Sequence, residues 1–343
     1  MATTNTKQIP WAMLGPWLAL LAACTFFATQ SDRFLTGENL SLVLQQVMVV
    51  GLLAIGQTLI ILTAGIDLSC GMVMALGGIV MTKFTMDLGI PPFWAVLCGI
   101  LVTASFGLLN GLLVTRVKLP SFIVTLGTMN IAFAITQIYS EAQTVGNLPE
   151  SMTALGNTFS LGGTSVAWGT VVMLGMYLLA WHLLRDTAAG RHVYAVGNNP
   201  EAVRLTGISV DRVLLGVYVL AGVLYGVAAL LSVARTGVGD PQAGQTENLD
   251  AISAVVLGGT SLFGGRGVIL GSLVGAVIVA TREAGRAVAR PGRPLRAPRA
   301  QRCALAWPAR RAAHGPQLLL GGHARRAHAH RLRHGRARGR PRD

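Results

Sequence analysis

Hydrogen-bonding side chains, most of them uncharged, interrupt the long apolar stretches of this sequence. They are amides and hydroxyls with one carboxylate, and such groups suit the hydroxyls of a neutral polyol that passes through a pore. Hydrogen bonding between neighbouring helices is the alternative role for each of them. The candidates for lining a pore are Gln57, Asp67, Ser69, Asn110 and Asn130, together with Gly258 and Gly259.

Residues for catalysis, metal binding or nucleotide binding form no recognisable set. A phosphate-binding loop ending in Gly-Lys-Ser/Thr is excluded, because none of the lysines, Lys7, Lys83 and Lys118, follows a glycine. We therefore expect no catalytic residues, no metal and no cofactor in this chain. Any process driven by ATP would need ATP and Mg on a separate ATPase chain.

Asp67 falls at the break between two apolar segments. We predict that it caps a helix beginning at Leu68, because aspartate is a preferred N-cap residue. Coupling of an ion to transport is the alternative, since ionisable groups inside a membrane commonly serve that role.

The composition predicts a membrane protein. Apolar residues make up 52% of the chain, charged residues only 12%, and the mean hydropathy is +0.55, whereas soluble domains carry about 25% charged residues. Segments of about 20 apolar residues can cross the hydrocarbon core. They run over 11–29, 40–63, 92–115, 121–139, 165–184 and 213–234, and shorter or broken ones cover 68–86, 251–263 and 267–281.

These segments predict an all-α polytopic bundle with about eight to nine transmembrane or re-entrant helices. The broken segments are rich in glycine, and non-helical backbone at membrane depth survives only when it packs in protein or lines a wet cavity. They are therefore the expected pore-lining regions. Small residues recur every fourth position at Gly99, Thr103, Gly107 and Gly111, which predicts close helix packing within the bundle.

The distribution of arginine and lysine in short loops predicts the orientation. Loop 140–164 has no basic residue, whereas loop 185–212 has four arginines, so the first should face outward and the second the cytoplasm. Alternating spans then place the N-terminus, 1–10, in the cytoplasm and make 11–281 the transmembrane domain.

Loop 185–212 is longer than a plain connection between helices, which takes about 2–8 residues. Within it, Asn198-Asn199-Pro200-Glu201 is typical of a helix start, with either asparagine as the cap and the proline near the first position. A short helix ending at Gly207 is predicted, either projecting to dock a partner or lying on the lipid surface.

The loop resembles the coupling segment of ribose-type permeases in bacterial ABC sugar importers. The resemblance extends in order over about residues 40–281. Its matching segments are Ala64–Ser69, Met74–Gly78, Pro120–Thr128, Tyr194–Ile208 and Leu249–Gly267.

This resemblance implies a permease subunit of the bacterial inner membrane that imports a monosaccharide. It implies two ATPase subunits, a periplasmic sugar-binding protein, a second permease chain, identical or homologous, and surrounding membrane lipid, with no nucleic acid. The helix Pro200–Thr206 would enter a groove on the ATPase. The residues expected to couple are Gly197, Asn198, Glu201, Ala202, Arg204 and Gly207. A secondary carrier or facilitator for a small polar solute is the alternative function.

The sequence changes character after Thr281. Residues 1–281 have a net charge of −1 and residues 282–343 a net charge of +15, and the latter are dominated by Arg, Ala, Pro and Gly. Such a composition predicts a disordered basic tail that cannot span lipid. A slip of the reading frame near codon 281, which would leave a non-functional permease, and a genuine basic tail are both open interpretations.

Overall fold

A computed structural model describes residues 11–31 and 33–288, so the predicted cytoplasmic N-terminus and most of the predicted tail lie outside the described residues. Within that part, twelve α-helices and one small sheet follow one another. The helices are α1 (Trp11–Gln30), α2 (Gly37–Leu62), α3 (Cys70–Met86), α4 (Pro92–Thr115), α5 (Ser121–Tyr139), α6 (Glu150–Thr153), α7 (Trp168–Asp186), α8 (Ala188–Asn198), α9 (Pro200–Leu205), α10 (Val210–Thr236), α11 (Glu247–Leu257) and α12 (Ile269–Val288).

The predicted apolar segments correspond to helices α1 to α5, α7 and α10 to α12. Four of them, α2, α4, α5 and α10, are long and apolar enough to cross a membrane by length and composition, and α3 is a shorter apolar helix. The last helix does not end at the predicted boundary, Thr281, but continues to Val288.

The short helix α6, a β-hairpin and helix α8 were not predicted. Strands β1 (Thr158–Leu161) and β2 (Thr164–Ala167) form an antiparallel hairpin, which Gly162 and Gly163 close with positive φ angles. Helix α8 precedes the predicted short helix, so the loop after α7 contains two helices instead of one.

Helix α2 is the centre of the bundle. In its most apolar window 83% of the residues are buried, compared with 28% for α4 and α5. It packs against α7, α10, α11 and α12, while α4 and α5 present most of their side chains outward. The core is therefore built around α2, and the irregular segment Thr63–Ser69 begins where this helix ends.

Helices α4 and α10 pack closely through the predicted row of small residues. A Cβ on Gly107 would overlap the carbonyl oxygen of Tyr218, and one on Gly222 would lie 2.6 Å from the carbonyl oxygen of Thr103. As predicted, this row forms contacts inside the bundle. Backbone atoms, which cannot rotate away, fix the distance between the two helices.

We predict that Gly107→Ala destabilises the protein by about 1–3 kcal/mol, because the added methyl group forces α4 and α10 apart. The thermal unfolding midpoint in detergent should fall by several degrees. Gly175→Ala on α7 is the matched control, since no atom lies within 4 Å of its added Cβ. Equal effects of both changes would contradict the prediction.

Candidate functional site

The chain between α2 and α3, Thr63–Ser69, is irregular backbone enclosed by helices. The amide of Ile66 donates to Ser121 Oγ at 3.1 Å, and the amide of Leu68 donates to Thr125 Oγ1 at 3.1 Å. The same threonine hydroxyl lies 3.2 Å from the Ile66 carbonyl oxygen. Side chains of α5 therefore provide the hydrogen bonds that a helix would otherwise make internally.

Asp67 lies at the centre of this segment and is only 1% exposed. Its carboxylate Oδ1 accepts from the Ser69 amide at 2.7 Å and from Ser69 Oγ at 2.6 Å, and Oδ2 accepts from Tyr225 Oη at 3.1 Å. The predicted cap is wrong in its position: α3 begins at Cys70 rather than Leu68, and Asp67 forms a turn with Ser69, the residue just before the helix.

A chain of side-chain hydrogen bonds extends from this turn to α4 and α5. Asn110 Nδ2 donates to Ser69 Oγ at 3.1 Å, and Thr128 Oγ1 donates to Asn110 Oδ1 at 2.7 Å. Gln57 Nε2 donates to the Asp67 carbonyl oxygen. Helices α2, α4, α5 and α10 are thus tied to one irregular segment.

The structure brings together four of the predicted pore-lining residues, namely Gln57, Asp67, Ser69 and Asn110. Each is at most 1% exposed, so in this conformation they form a buried junction and do not face an open cavity. We call these four residues, with Thr125, Thr128 and Tyr225, the buried junction.

No lysine, arginine or histidine of the described residues lies within ion-pair distance of Asp67. The described part of the chain contains no metal-binding cluster of acidic, His and Cys side chains.

The other three predicted pore residues lie elsewhere. Asn130 is exposed on the outer face of α5, where its side-chain amide donates to the Leu126 carbonyl oxygen at 2.8 Å. Gly258 contacts the backbone of α12 at Gly271, and Gly259 is exposed with φ of 84° in the turn after α11.

Helix α9 begins as the sequence predicts. Asn199, one of the two predicted caps, accepts from the Ala202 amide at 3.0 Å through Oδ1, Pro200 occupies the first position and Glu201 the first turn. Gly207 follows the helix with φ of 84°. Asn198 is instead the last residue of α8 and is exposed.

Most of α9 is open to its surroundings. Glu201 Oε1 and Arg204 Nη1 form an exposed ion pair at 2.7 Å, Ala202 is exposed, and Leu205 is 90% exposed. Val203 alone turns inward, into a small cluster with Val196 and Val210 that is separate from the main core. The helix is thus packed on the protein through Val203, and its outer face has no partner among the described residues.

Residues 39–296 match the family described as branched-chain amino acid transport system / permease component. The chain belongs to this permease family. It is a transport subunit and a multi-pass membrane protein, and the predicted resemblance and polytopic helical fold class are confirmed.

The permease is similar to named sugar permeases along most of its length. It is 44% identical over 265 residues to the fructose import permease of Rhizobium meliloti, covering 76% of this chain and 74% of that one. It is 37% identical to the ribose import permease of Bacillus subtilis, covering 79% and 84%. It is 34% identical to the D-allose transport permease of Escherichia coli, covering 79% and 82%. No solved structure matches the chain.

A close backbone contact connects α8 of the permease to the end of α2. A Cβ on Gly197 would overlap the Leu62 carbonyl oxygen, which already accepts from the Gly265 amide at 2.9 Å. Tyr194 Oη donates to the Gly267 carbonyl oxygen at 3.0 Å. The end of α8, just before α9, therefore touches Leu62, the last residue of α2 before the irregular segment Thr63–Ser69.

Sequence reasoning missed several residues of these sites. Thr125 and Tyr225 complete the buried junction, but a threonine or tyrosine in an apolar helix carries no signal of a partner far away in the chain. Leu205 could have been found, because it lies two positions after Val203 and so on another face of the short helix. Arg235, whose Nη1 donates to Gln46 Oε1 at 2.6 Å, was also missed.

We predict that Thr125→Val lowers the stability of the permease by about 1–3 kcal/mol, because the part-buried Leu68 amide loses its acceptor. The measurement is thermal or denaturant unfolding in detergent.

Thr136→Val is the matched control for this prediction. It is the same change on the same helix at a buried residue, but the Thr136 hydroxyl bonds only to the Ala132 carbonyl oxygen of its own helix. A loss of stability no larger for Thr125→Val than for Thr136→Val would contradict the role of the junction.

Proposed function

We propose that the chain is the membrane-spanning subunit of an ATP-binding-cassette importer that carries a monosaccharide across the bacterial inner membrane. Separate ATPase subunits would bind ATP and Mg, and a periplasmic sugar-binding protein would deliver the solute. The similarity to fructose, ribose and D-allose permeases supports a neutral sugar as the solute.

The observation that carries the proposal is the outer face of α9. A leucine that is 90% exposed, flanked by an exposed ion pair and a small alanine, is a suitable anchor for a groove on a partner protein. In our proposal Leu205, Glu201, Ala202 and Arg204 contact the ATPase. Gly207 ends the helix, and Asn198 borders the contact.

Gly197 has a different role in this proposal from the one expected at first. It is buried against the Leu62 carbonyl oxygen, so it is not available to a partner protein. Its lack of a side chain lets α8 contact α2, and a displacement of α9 would pass through this contact to the segment Thr63–Ser69. We therefore propose that Gly197 transmits the movement that ATP hydrolysis produces.

The arginines of the loop support an orientation in which α8 and α9 face the cytoplasm and the N-terminus does as well. The exposed apolar faces of α4 and α5, only 28% buried, would contact membrane lipid and a second permease chain. The loop that contains the hairpin of β1 and β2 would then face the periplasm and the sugar-binding protein.

We predict that Leu205→Ala weakens binding of the ATPase about thirtyfold, which corresponds to about 2 kcal/mol, because the central apolar anchor of the contact is truncated. Sugar uptake should fall in proportion, while the amount of permease in the membrane stays the same. Binding is measured with purified ATPase and detergent-solubilised permease, and uptake with labelled sugar.

Leu178→Ala is the control, because Leu178 on α7 is also strongly exposed, at 64%, but lies within an apolar helix face. This change should leave ATPase binding as it is. Unchanged binding by Leu205→Ala would show that α9 is not the docking helix.

A further inference from the structure

The chain between α10 and α11 runs alongside α3 without forming a helix or a strand over 240–246. Gly239 contacts the side chain of Thr82, and Gly244 contacts the backbone of Gly71. These two residues of α3 are eleven positions apart, which corresponds to about 16 Å along a helix axis. Because α3 is an apolar helix of the bundle, we expect the irregular segment beside it to lie at membrane depth.

One side of this segment is polar and open. Gln242, Gln245 and Thr246 are exposed, whereas Pro241 and Gly244 are buried. Gln245 Nε2 donates to Gln242 Oε1, and both exposed side chains have further amide donors and acceptors. Irregular backbone and polar side chains do not face lipid tails in membrane proteins, so this side must meet either protein or water.

The exposed polar side continues on both neighbouring helices. Gln137 Nε2 on α5 donates to the Pro241 carbonyl oxygen at 3.4 Å, and the exposed Asn130 lies seven residues earlier, on the same face of α5. On α11 the exposed Ser253 lies seven residues after Thr246 and shares its face. We define the polar edge as Asn130, Gln242, Gln245, Thr246 and Ser253.

We propose that the polar edge is a wall of a water-filled pathway and contacts the sugar as it crosses the membrane. Its groups are uncharged amides and hydroxyls, which can exchange hydrogen bonds with the hydroxyls of a neutral polyol. Leu249, 61% exposed between Thr246 and Ser253 on the same helix, offers an apolar surface to the carbon side of a sugar ring. A second copy of the chain packed dry against the edge would bury these amides without partners, at a cost of about 1–3 kcal/mol each.

This proposal rests on the proposed function only for the identity of the solute, since access of water can be tested without transport. Of the residues first expected to line the pore, the polar edge includes Asn130 alone. The other members of the polar edge were not predicted, because their positions depend on the path of the irregular segment along α3.

The test is the reactivity of single cysteines toward a membrane-impermeant methanethiosulfonate reagent. Ser253→Cys and Gln245→Cys are each introduced after the native cysteines, Cys24, Cys70, Cys98 and Cys303, are replaced by alanine. The importer complex is studied in right-side-out and in inside-out vesicles, so that a pathway open to either side is detected. Leu178→Cys, at a position of α7 that is 64% exposed within an apolar helix face, is the control.

We expect both edge cysteines to react at least about tenfold faster than Leu178→Cys from one side of the membrane, because the reactive thiolate forms only in contact with water. Millimolar D-ribose or D-fructose should slow the reaction severalfold. Reactivity equal to that of the control from both sides would overturn the proposal, and fast reaction that neither sugar slows would overturn its sugar contact. Absence of uptake by the complex with unaltered permease would count against the proposed function instead.

Discussion

A backbone amide left unpaired in hydrocarbon costs several kcal/mol. The break between α2 and α3 creates this problem, because the backbone there is not helical. The segment Thr63–Ser69 avoids it because side chains from surrounding helices bond to its backbone and to Asp67. These bonds connect helices far apart in the sequence. The same segment that interrupts the central helix is therefore what ties α2, α4, α5 and α10 into one arrangement.

The irregular segments Thr63–Ser69 and 240–246 are connected through the first turns of α3 and α11, and they differ in their exposure. Asn248 Nδ2 of α11 donates to the Leu68 carbonyl oxygen at 3.2 Å, and Gly244 packs on Gly71 at the start of α3. The first segment is closed by side chains, while the second leaves one polar side open. With the contact of Gly197 on Leu62, a continuous series of contacts leads from α9 through the buried junction to the polar edge. In the proposed importer, ATP-driven movement of α9 would reach the sugar pathway along this series.

The sequence alone predicted the elements that depend on residues close together in the chain. Apolar segments of sufficient length located the helices, and Asn199, Pro200 and Glu201 located the start of α9 because capping depends on a few adjacent residues. Helix α8 was missed, since its residues lack a long apolar face. Four of the seven residues predicted to line a pore meet in the buried junction, and their role in a pore stays a prediction. The contact of Tyr225 with Asp67 was not predicted, because composition says nothing about pairs far apart in the chain. The face of α5 on which Asn130 lies likewise follows from packing.

Hydrogen–deuterium exchange of the detergent-solubilised permease measures most directly whether the buried junction protects Thr63–Ser69. We expect the amides of Ile66, Leu68 and Ser69 to exchange as slowly as those in the middle of α2, because each donates to a side-chain oxygen, of Ser121, Thr125 and Asp67 respectively. Exchange of these amides as fast as in the exposed loop residues 141–144 would contradict it.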